Sequence, residues 1–228
     1  MKKVIYAILA VAILITPLGL SCGGAARALT IGEQQLVESS NTFGFKLLNE
    51  VVGQDGDKNI FISPLSVSMA LGMTLNGADG DTYEAMKQTL ELSGLTEEEI
   101  NKSYASLIEL LRGLDPEVIF QIANSIWYRQ GFPVKQSFLD ICQQYFDAVV
   151  EGLDFSDPAA VDIINNWVNE STNGKIEGIV DPPINPLTVM FLINAIYFKG
   201  TWKYEFDEQY TQSSPFYLLD DSEVQCQM

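Results

Sequence analysis

Residues 63–76, SPLSVSMALGMTLN, decide the fold and predict a short buried helix. Ser63 is a favourable N-cap, and Pro64 takes the first helical position, where a missing N–H has no cost. Asn76 and the glycine that follows it end the helix. No charged residue lies between Pro64 and Leu75, so every face of the helix is suited to burial.

Small residues give this helix one narrow face. Ser63, Ser66 and Ala70 recur at helical spacing, so a flat β-strand could pack closely against them. Gly72 lies in the middle of the helix, where glycine destabilises the helix by about 1 kcal/mol relative to alanine. Its presence predicts that another backbone lies close to the helix at this point.

A matching strand is predicted from Val189 to Phe198, VMFLINAIYF. Both alternating sets of side chains are apolar, so we expect cover on both faces of the strand. Asn194 is the exception, and an unpaired buried amide costs about 1–3 kcal/mol. Ser63 and Ser66 are candidate partners, and the simplest interpretation is that these are satisfied polar groups of the core.

Three motifs resemble the serpin family. They are NIFISPLS from Asn59 to Ser66 with LNGADG from Leu75 to Gly80, VNESTNGKI from Val168 to Ile176, and LINAIYFKGTW from Leu192 to Trp202. Their order and spacing match the family from about Asn41 to the last residue. The resemblance implies an α+β fold in which helices surround mixed β-sheets.

The resemblance also implies a function. Serpins inhibit serine or cysteine proteases by inserting a cleaved loop as a new strand in the main sheet, which distorts the bound protease. Matched position by position, Ser63, Ser66 and Asn194 correspond to the shutter, where the strands separate. Trp202 corresponds to the breach, where insertion starts, and Lys199 to Gly200 belong to the same signature.

The protease-facing part of this mechanism is expected to be absent. In serpins the hinge, the cleaved loop and the strand beyond the gap follow the matched segment, and the 228 residues stop before them. We therefore expect a serpin truncated before the reactive-centre loop, which does not inhibit by itself. The alternative is a surface-anchored binding or structural module without inhibitory activity.

Composition narrows the possible functions. The chain has no histidine, which excludes Ser-His-Asp and Cys-His catalysis and most zinc sites. We therefore expect that the protein is not an enzyme and that it binds no metal or cofactor. The net charge of −17 argues against nucleic acid or an anionic membrane surface as a partner. The helix predicted from Thr96 to Gly113 begins with three glutamates and carries only Lys102 and Arg112, so no polyanion site is expected.

The first residues resemble an export signal. Two lysines precede a 12-residue apolar run, Val4 to Ile15, which is too short to span a bilayer. Leu18 to Cys22 resembles a bacterial lipobox, with glycine where leucine is usual, and Cys22 would become the lipidated first residue. Ala26 to Ala28 offers an ordinary cleavage site instead, which leaves plain secretion open.

The predicted organisation is a signal peptide at 1–21, a tether and the start of the first helix at 22–40, and the N-terminal part of a serpin domain at 41–228. The protein is expected to be exported, extracellular or at the cell surface, and to meet a membrane only through a lipid on Cys22. Cys142 is predicted to be a buried thiol, and the sequence leaves a bond between Cys142 and Cys226 open.

Periodicity predicts the remaining elements. Helices are expected within 33–52, 81–92, 96–111, 134–146 and 158–173, and strands within 117–129, 149–155 and 215–228. The resemblance implies that the helix at 158–173 lies across the front of the main sheet. It also implies that the strands near Val118, Val149 and Val189 are neighbours in that sheet.

Overall fold

The computed structural model of the chain describes residues 27–56, 58–218 and 220–228. The helices and strands follow one another along the chain as α1 (Ile31–Asp55), α2 (Pro64–Leu75), α3 (Gly80–Thr89), α4 (Glu97–Arg112), β1 (Ile119–Arg129), α5 (Gln136–Phe146), β2 (Ala148–Leu153), α6 (Ala159–Ser171), β3 (Met190–Lys199), β4 (Ser213–Tyr217) and β5 (Glu223–Gln227). A 3-10 turn at Glu208–Tyr210 precedes β4. The predicted signal segment and Cys22 lie outside the described residues. In the part of the chain that is described, no helix combines the length and the apolar character needed to cross a bilayer.

The central sheet contains the three strands that the resemblance predicted as neighbours. Their order is β2-β1-β3, with β1 parallel to β2 and antiparallel to β3. The register places Asn124 of β1 directly opposite Asn194 of β3. Among the described residues β3 pairs with β1 alone, so its other edge carries free backbone groups.

Helices cover both faces of this sheet because successive side chains of a strand point to opposite sides. Ile122 and Ile126 of β1 point to one side, into the core formed with α1, α2, α4 and α5. Trp127 points to the other side and packs with Ile164 and Val168 of α6. The helix α6 therefore lies across the front of the sheet, as the resemblance implied.

The buried helix α2 begins and ends where the sequence predicts. The Ser66 N–H donates to the Ser63 hydroxyl at 3.4 Å, and none of the helix residues is exposed. The prediction for Gly72 is wrong in one respect, because its neighbour is a side chain and not a backbone. A Cβ at Gly72 would lie 2.8 Å from the Tyr104 ring of α4. That buried ring donates its hydroxyl to the Ser68 carbonyl at 3.0 Å.

Two helices begin earlier than predicted. Thr30 caps α1, and Leu36 is only 1% exposed, so packing of the domain includes residues ahead of the predicted boundary at residue 41. Asp79 caps α3, which begins at Gly80, one residue ahead of the predicted start at 81, and the Asp79 carboxylate accepts from the Gly80 N–H at 2.8 Å. In both cases the cap is a short polar side chain that serves the first turn.

The end of the chain differs from the prediction. The single edge strand expected at 215–228 is a hairpin, in which β4 pairs with β5 in antiparallel register. The turn carries Asp220, which accepts from the Ser222 N–H at 3.0 Å, and Asp221 with a φ of 62°. Aspartate tolerates this left-handed conformation, so the two adjacent aspartates are a turn signal within the segment predicted as one strand.

Candidate functional site

A line of polar side chains connects α2, the sheet and α5. The Ser66 hydroxyl on α2 donates to the side-chain oxygen of Asn194 on β3. Asn194 Nδ2 donates to Asn124 Oδ1 on β1 at 2.7 Å. Asn124 Nδ2 donates to the carbonyl of Phe146, at the end of α5, at 2.7 Å. We call the side chains of Ser66, Asn194 and Asn124 the polar line.

The polar line lies in an apolar environment. Asn124 is 1% exposed, between the buried Ile122 and Ile126 on the same face of β1. Asn194 is half-buried, and its Nδ2 lies 3.8 Å from Met69 Sδ. Each amide of the line has a partner, and removing one member would leave a buried group unsatisfied at about 1–3 kcal/mol. The three side chains therefore act as one unit.

Ser63 lies at the cap of α2 and not in the polar line. Its hydroxyl accepts from the Ser66 N–H, so it orients the first turn of the helix that carries Ser66. Of the two serines that the sequence analysis named as candidate partners, Ser66 is the one that bonds with Asn194. Asn194 therefore lies beside the start of α2, as expected, and Ser66 is the residue that contacts it.

The residues assigned to the breach by resemblance lie at the solvent boundary. Trp202 is 71% exposed, and its ring packs edge-to-face on Phe206 at 6.0 Å between centroids. Lys199 is the last residue of β3, opposite Ile119, and Gly200 follows it. These residues take no part in the polar line, and their assignment to the breach stays a prediction.

Asn124 is the member of the site that sequence analysis missed. Its signal was present, because it falls in the same alternating set of β1 as Ile122 and Ile126, so an amide interrupts an apolar face. Its meaning depends on the register, which places it opposite Asn194. The sequence of one strand does not determine which residues of another strand lie opposite it.

The polar line has no means of covalent catalysis. The Ser66 hydroxyl faces an amide oxygen, which does not take up a proton at neutral pH, and an activated nucleophile needs an adjacent base. Cys142 is buried and unbonded, and burial raises the pKa of its thiol to about 12. Cys226 is also a free thiol, so the bond left open by the sequence is not formed. The site can hold and exchange hydrogen bonds.

Large apolar side chains lie exposed around the end of β3. Phe198 is 66% exposed, and Phe61 just ahead of α2 is 99% exposed. Both line an open groove of about 820 Å³ that also contains Phe120 and Lys199. An exposed apolar surface of this kind, on a strand that also has an unpaired edge, is suited to contact with further protein.

Together, the helix-covered sheet, its free edge and the polar line beneath it define the α+β class that the sequence motifs suggested. The family model described as "Serpin (serine protease inhibitor)" matches residues 38–228. The chain belongs to the serpin family, and the predicted family and fold are confirmed.

Relatives of known sequence match a similar stretch. The chain is 36% identical over 198 residues to Serpin B6 of Bos taurus, which covers 85% of this chain and 52% of the relative. It is 33% identical over 205 residues to neuroserpin of Homo sapiens, a match that covers 89% of this chain and 49% of neuroserpin. The chain therefore spans about half the length of the curated relatives it matches.

Solved structures support the same fold. Reactive-loop-cleaved human thyroxine-binding globulin matches with a TM-score of 0.78 and 31% identity, over 86% of this chain and 58% of that one. Tengpin, a thermophilic serpin in the latent state, matches with a TM-score of 0.75 and 30% identity, over 88% of this chain and 53% of tengpin.

Proposed function

We propose that this chain contributes the sheet-opening part of a protease inhibitor that traps its target by a change of conformation. The observation that carries the proposal is the polar line, which ties β3 to the helix beneath it. Family membership supports the inhibitory class, and the proposed target is a serine protease or, failing that, a cysteine protease. The cleaved and latent forms among the similar structures are in keeping with a conformational switch.

The hydrogen bonds of the polar line suggest how the switch is controlled. In a whole inhibitor in which a further strand covers the edge of β3 that is free here, a new strand can enter between the two only if β3 shifts across α2. The bond between Ser66 and Asn194 must then break or change partner, while the bond between Asn194 and Asn124 keeps β3 attached to β1. A net hydrogen bond contributes about 0.5–1.5 kcal/mol, enough to bias two arrangements without locking either. The small residues of α2 leave room for that shift.

Hydrogen exchange tests this role. Ser66→Ala should speed exchange of the β3 backbone amides, because it removes the contact that holds β3 against α2. Thr74→Ala is the matched control, since Thr74 lies on the same helix and donates to the Ala70 carbonyl at 2.9 Å. If both variants change β3 equally, the polar line does not hold the strand.

The 228 residues by themselves are proposed not to inhibit. This rests on the free edge of β3 and on the share of the relatives that the chain spans, about half. Purified chain should be incubated with trypsin-, chymotrypsin- and elastase-type proteases and with a papain-type cysteine protease. We expect no complex on a denaturing gel, and a denaturant-stable band of combined mass would overturn the proposal.

A binding module without inhibitory activity is the second candidate. It is favoured by the similarity to thyroxine-binding globulin in complex with its ligand, with a TM-score of 0.76 and 30% identity. Reading the genomic sequence after codon 228 separates the candidates. A following frame with a hinge and reactive loop supports the inhibitor, and its absence supports the module.

We propose further that the protein is exported. The support is the basic start and the 12-residue apolar run from Val4 to Ile15. A lipid on Cys22 would hold the protein at the cell surface. Fractionation of cells into cytosol and envelope tests the export, and recovery in the cytosol alone would contradict it.

A further inference from the structure

The sequence contains two asparagines that are each followed by glycine, Asn76 and Asn173. Asparagine is one of the thermolabile residues. Its usual reaction is deamidation, in which the backbone nitrogen of the next residue attacks the side-chain amide. A following glycine favours the attack because it has no Cβ to obstruct its nitrogen. The two pairs have the same chemistry in an unfolded chain, so a difference between them in the folded protein comes from the structure.

Asn173 lies on the surface at the end of α6. It is exposed, with a left-handed φ of 49°, and the exposed Gly174 that follows has a φ of 74°. The Gly174 N–H donates to the Asn169 carbonyl at 2.8 Å, so a single exposed turn holds the attacking nitrogen. Within the described part of the chain, the Asn173 side chain makes one hydrogen bond, from Nδ2 to Gln121 Oε1 of β1 at 3.1 Å. Fraying of this last turn is enough to release both groups.

Asn76 lies between two helices of the core. Its Nδ2 donates to the Gly72 carbonyl at 2.9 Å and to Asn101 Oδ1 at 3.0 Å, and Asn101 Nδ2 donates to Asn76 Oδ1 at 2.7 Å. Asn76 is half-buried, and Asn101 on α4 is buried. The Gly77 N–H donates to the Thr74 carbonyl at 2.9 Å. The Asn76 side chain can turn toward Gly77 only when its bonds across α2 and α4 break, which is an opening of the core.

We propose that Asn173 is a site of spontaneous deamidation in the folded protein and that Asn76 is protected. In the reaction the Gly174 nitrogen bonds to Cγ of Asn173 and gives up its proton, and the former Nδ2 leaves as ammonia. Water then opens the cyclic imide at one of its carbonyls, which gives aspartate or isoaspartate. Local opening costs little at a frayed helix end and approaches the global free energy of unfolding in the core, so the two rates should differ.

The product changes how the end of α6 meets the sheet. Both forms replace the Nδ2 donor of Asn173 with a carboxylate oxygen, so the bond to Gln121 Oε1 is lost in its present form. A negative charge at the C-terminal end of a helix is also unfavourable, because the last carbonyls carry a partial negative charge. Isoaspartate adds a methylene to the backbone, which displaces the Gly174 N–H from the Asn169 carbonyl. Deamidation should therefore loosen the end of the helix that lies across the front of the sheet.

Peptide mapping of aged protein tests the site. The purified chain should be incubated at mildly alkaline pH, digested and measured by mass spectrometry. We expect the peptide with Asn173 to deamidate at least about tenfold faster than the peptide with Asn76. Asn173→Gln is the matched variant, since its longer side chain keeps the amide but closes the ring far more slowly, and it should remove the conversion at that position. Equal rates at the two asparagines, or conversion at Asn76 alone, would overturn the inference.

A second sample in urea shows whether the fold is the cause. With the chain unfolded, both peptides should convert at similar rates, because both asparagines precede glycine. If Asn76 stays slower in urea, its local sequence protects it and the inference is wrong. If both convert in urea and neither converts in the folded protein, the end of α6 is as well protected as the core, which also overturns the inference.

The loosening of α6 has its own measurement. Asn173→Asp carries the charge of the product, and it should speed hydrogen exchange of the backbone amides in the last turn of α6 while leaving those of α2 unchanged. Gln121→Ala removes the same side-chain bond without adding a charge, and it should have a smaller effect. Unchanged exchange at the end of α6 in Asn173→Asp would contradict the loosening.

Discussion

Replacing Asn124 with alanine should destabilise the domain by about 2–4 kcal/mol. The substitution removes two hydrogen bonds of 2.7 Å, one from Asn194 Nδ2 and one to the Phe146 carbonyl. Each partner left unsatisfied costs about 1–3 kcal/mol, and the cost for Asn194 falls toward the lower end because that residue is half-buried and water can reach it. A loss of this size is a large fraction of the stability of an ordinary domain.

Urea unfolding is the appropriate assay for Asn124→Ala. The fluorescence of Trp127 and Trp167 reports on the front of the sheet, since their rings lie 6.0 Å apart at the contact with α6. Gln121→Ala is the matched control, because Gln121 lies on the same strand but is exposed, and it should change stability by less than about 0.5 kcal/mol.

A double-mutant cycle with Asn194→Ala separates the polar line from a general packing effect. Because the two amides bond to each other, the double variant should cost less than the sum of the single ones, by about 1 kcal/mol. Strict additivity, or a cost for Asn124→Ala no larger than that of Gln121→Ala, would refute the reasoning.

Three further predictions concern other buried groups. Because the Arg27 guanidinium lowers the pKa of Glu33 from 4.5 to about 2 in the folded state, the contribution of Glu33 to stability is complete above pH 4.5 and is lost as the pH falls toward 2. Glu33→Gln should therefore flatten that part of the acid-unfolding curve, and an unchanged curve would contradict the assignment. Gly72→Ala should lower stability by about 1–3 kcal/mol in urea titration, since its Cβ would lie 2.8 Å from a buried tyrosine ring, and a more stable variant would contradict the packing. In a chain without the leader cysteine, Cys226 should react with a thiol reagent at pH 8 before Cys142, whose pKa is about 12, and equal rates would argue against the burial of Cys142.

Local elements of this protein were predictable because their signals act within one or two turns. The cap at Ser63, the proline after it and the uncharged run predicted α2 to the residue. The apolar run from Val189 to Phe198 predicted β3 within one residue, and Asn194 stood out there as an amide that needed a partner. The motifs around these two elements also predicted the family.

Tertiary structure decided which side chains meet. Ser66 and Asn194 are 128 residues apart in the chain, and Asn124 joins them only because the β1–β3 register places it opposite Asn194. The ring that fills the space at Gly72 comes from α4, and Arg27 reaches Ser106 across a separation of 79 residues. Periodicity reports which face of an element is buried, whereas the identity of the neighbour on that face depends on strand register and helix packing, which are properties of the whole fold.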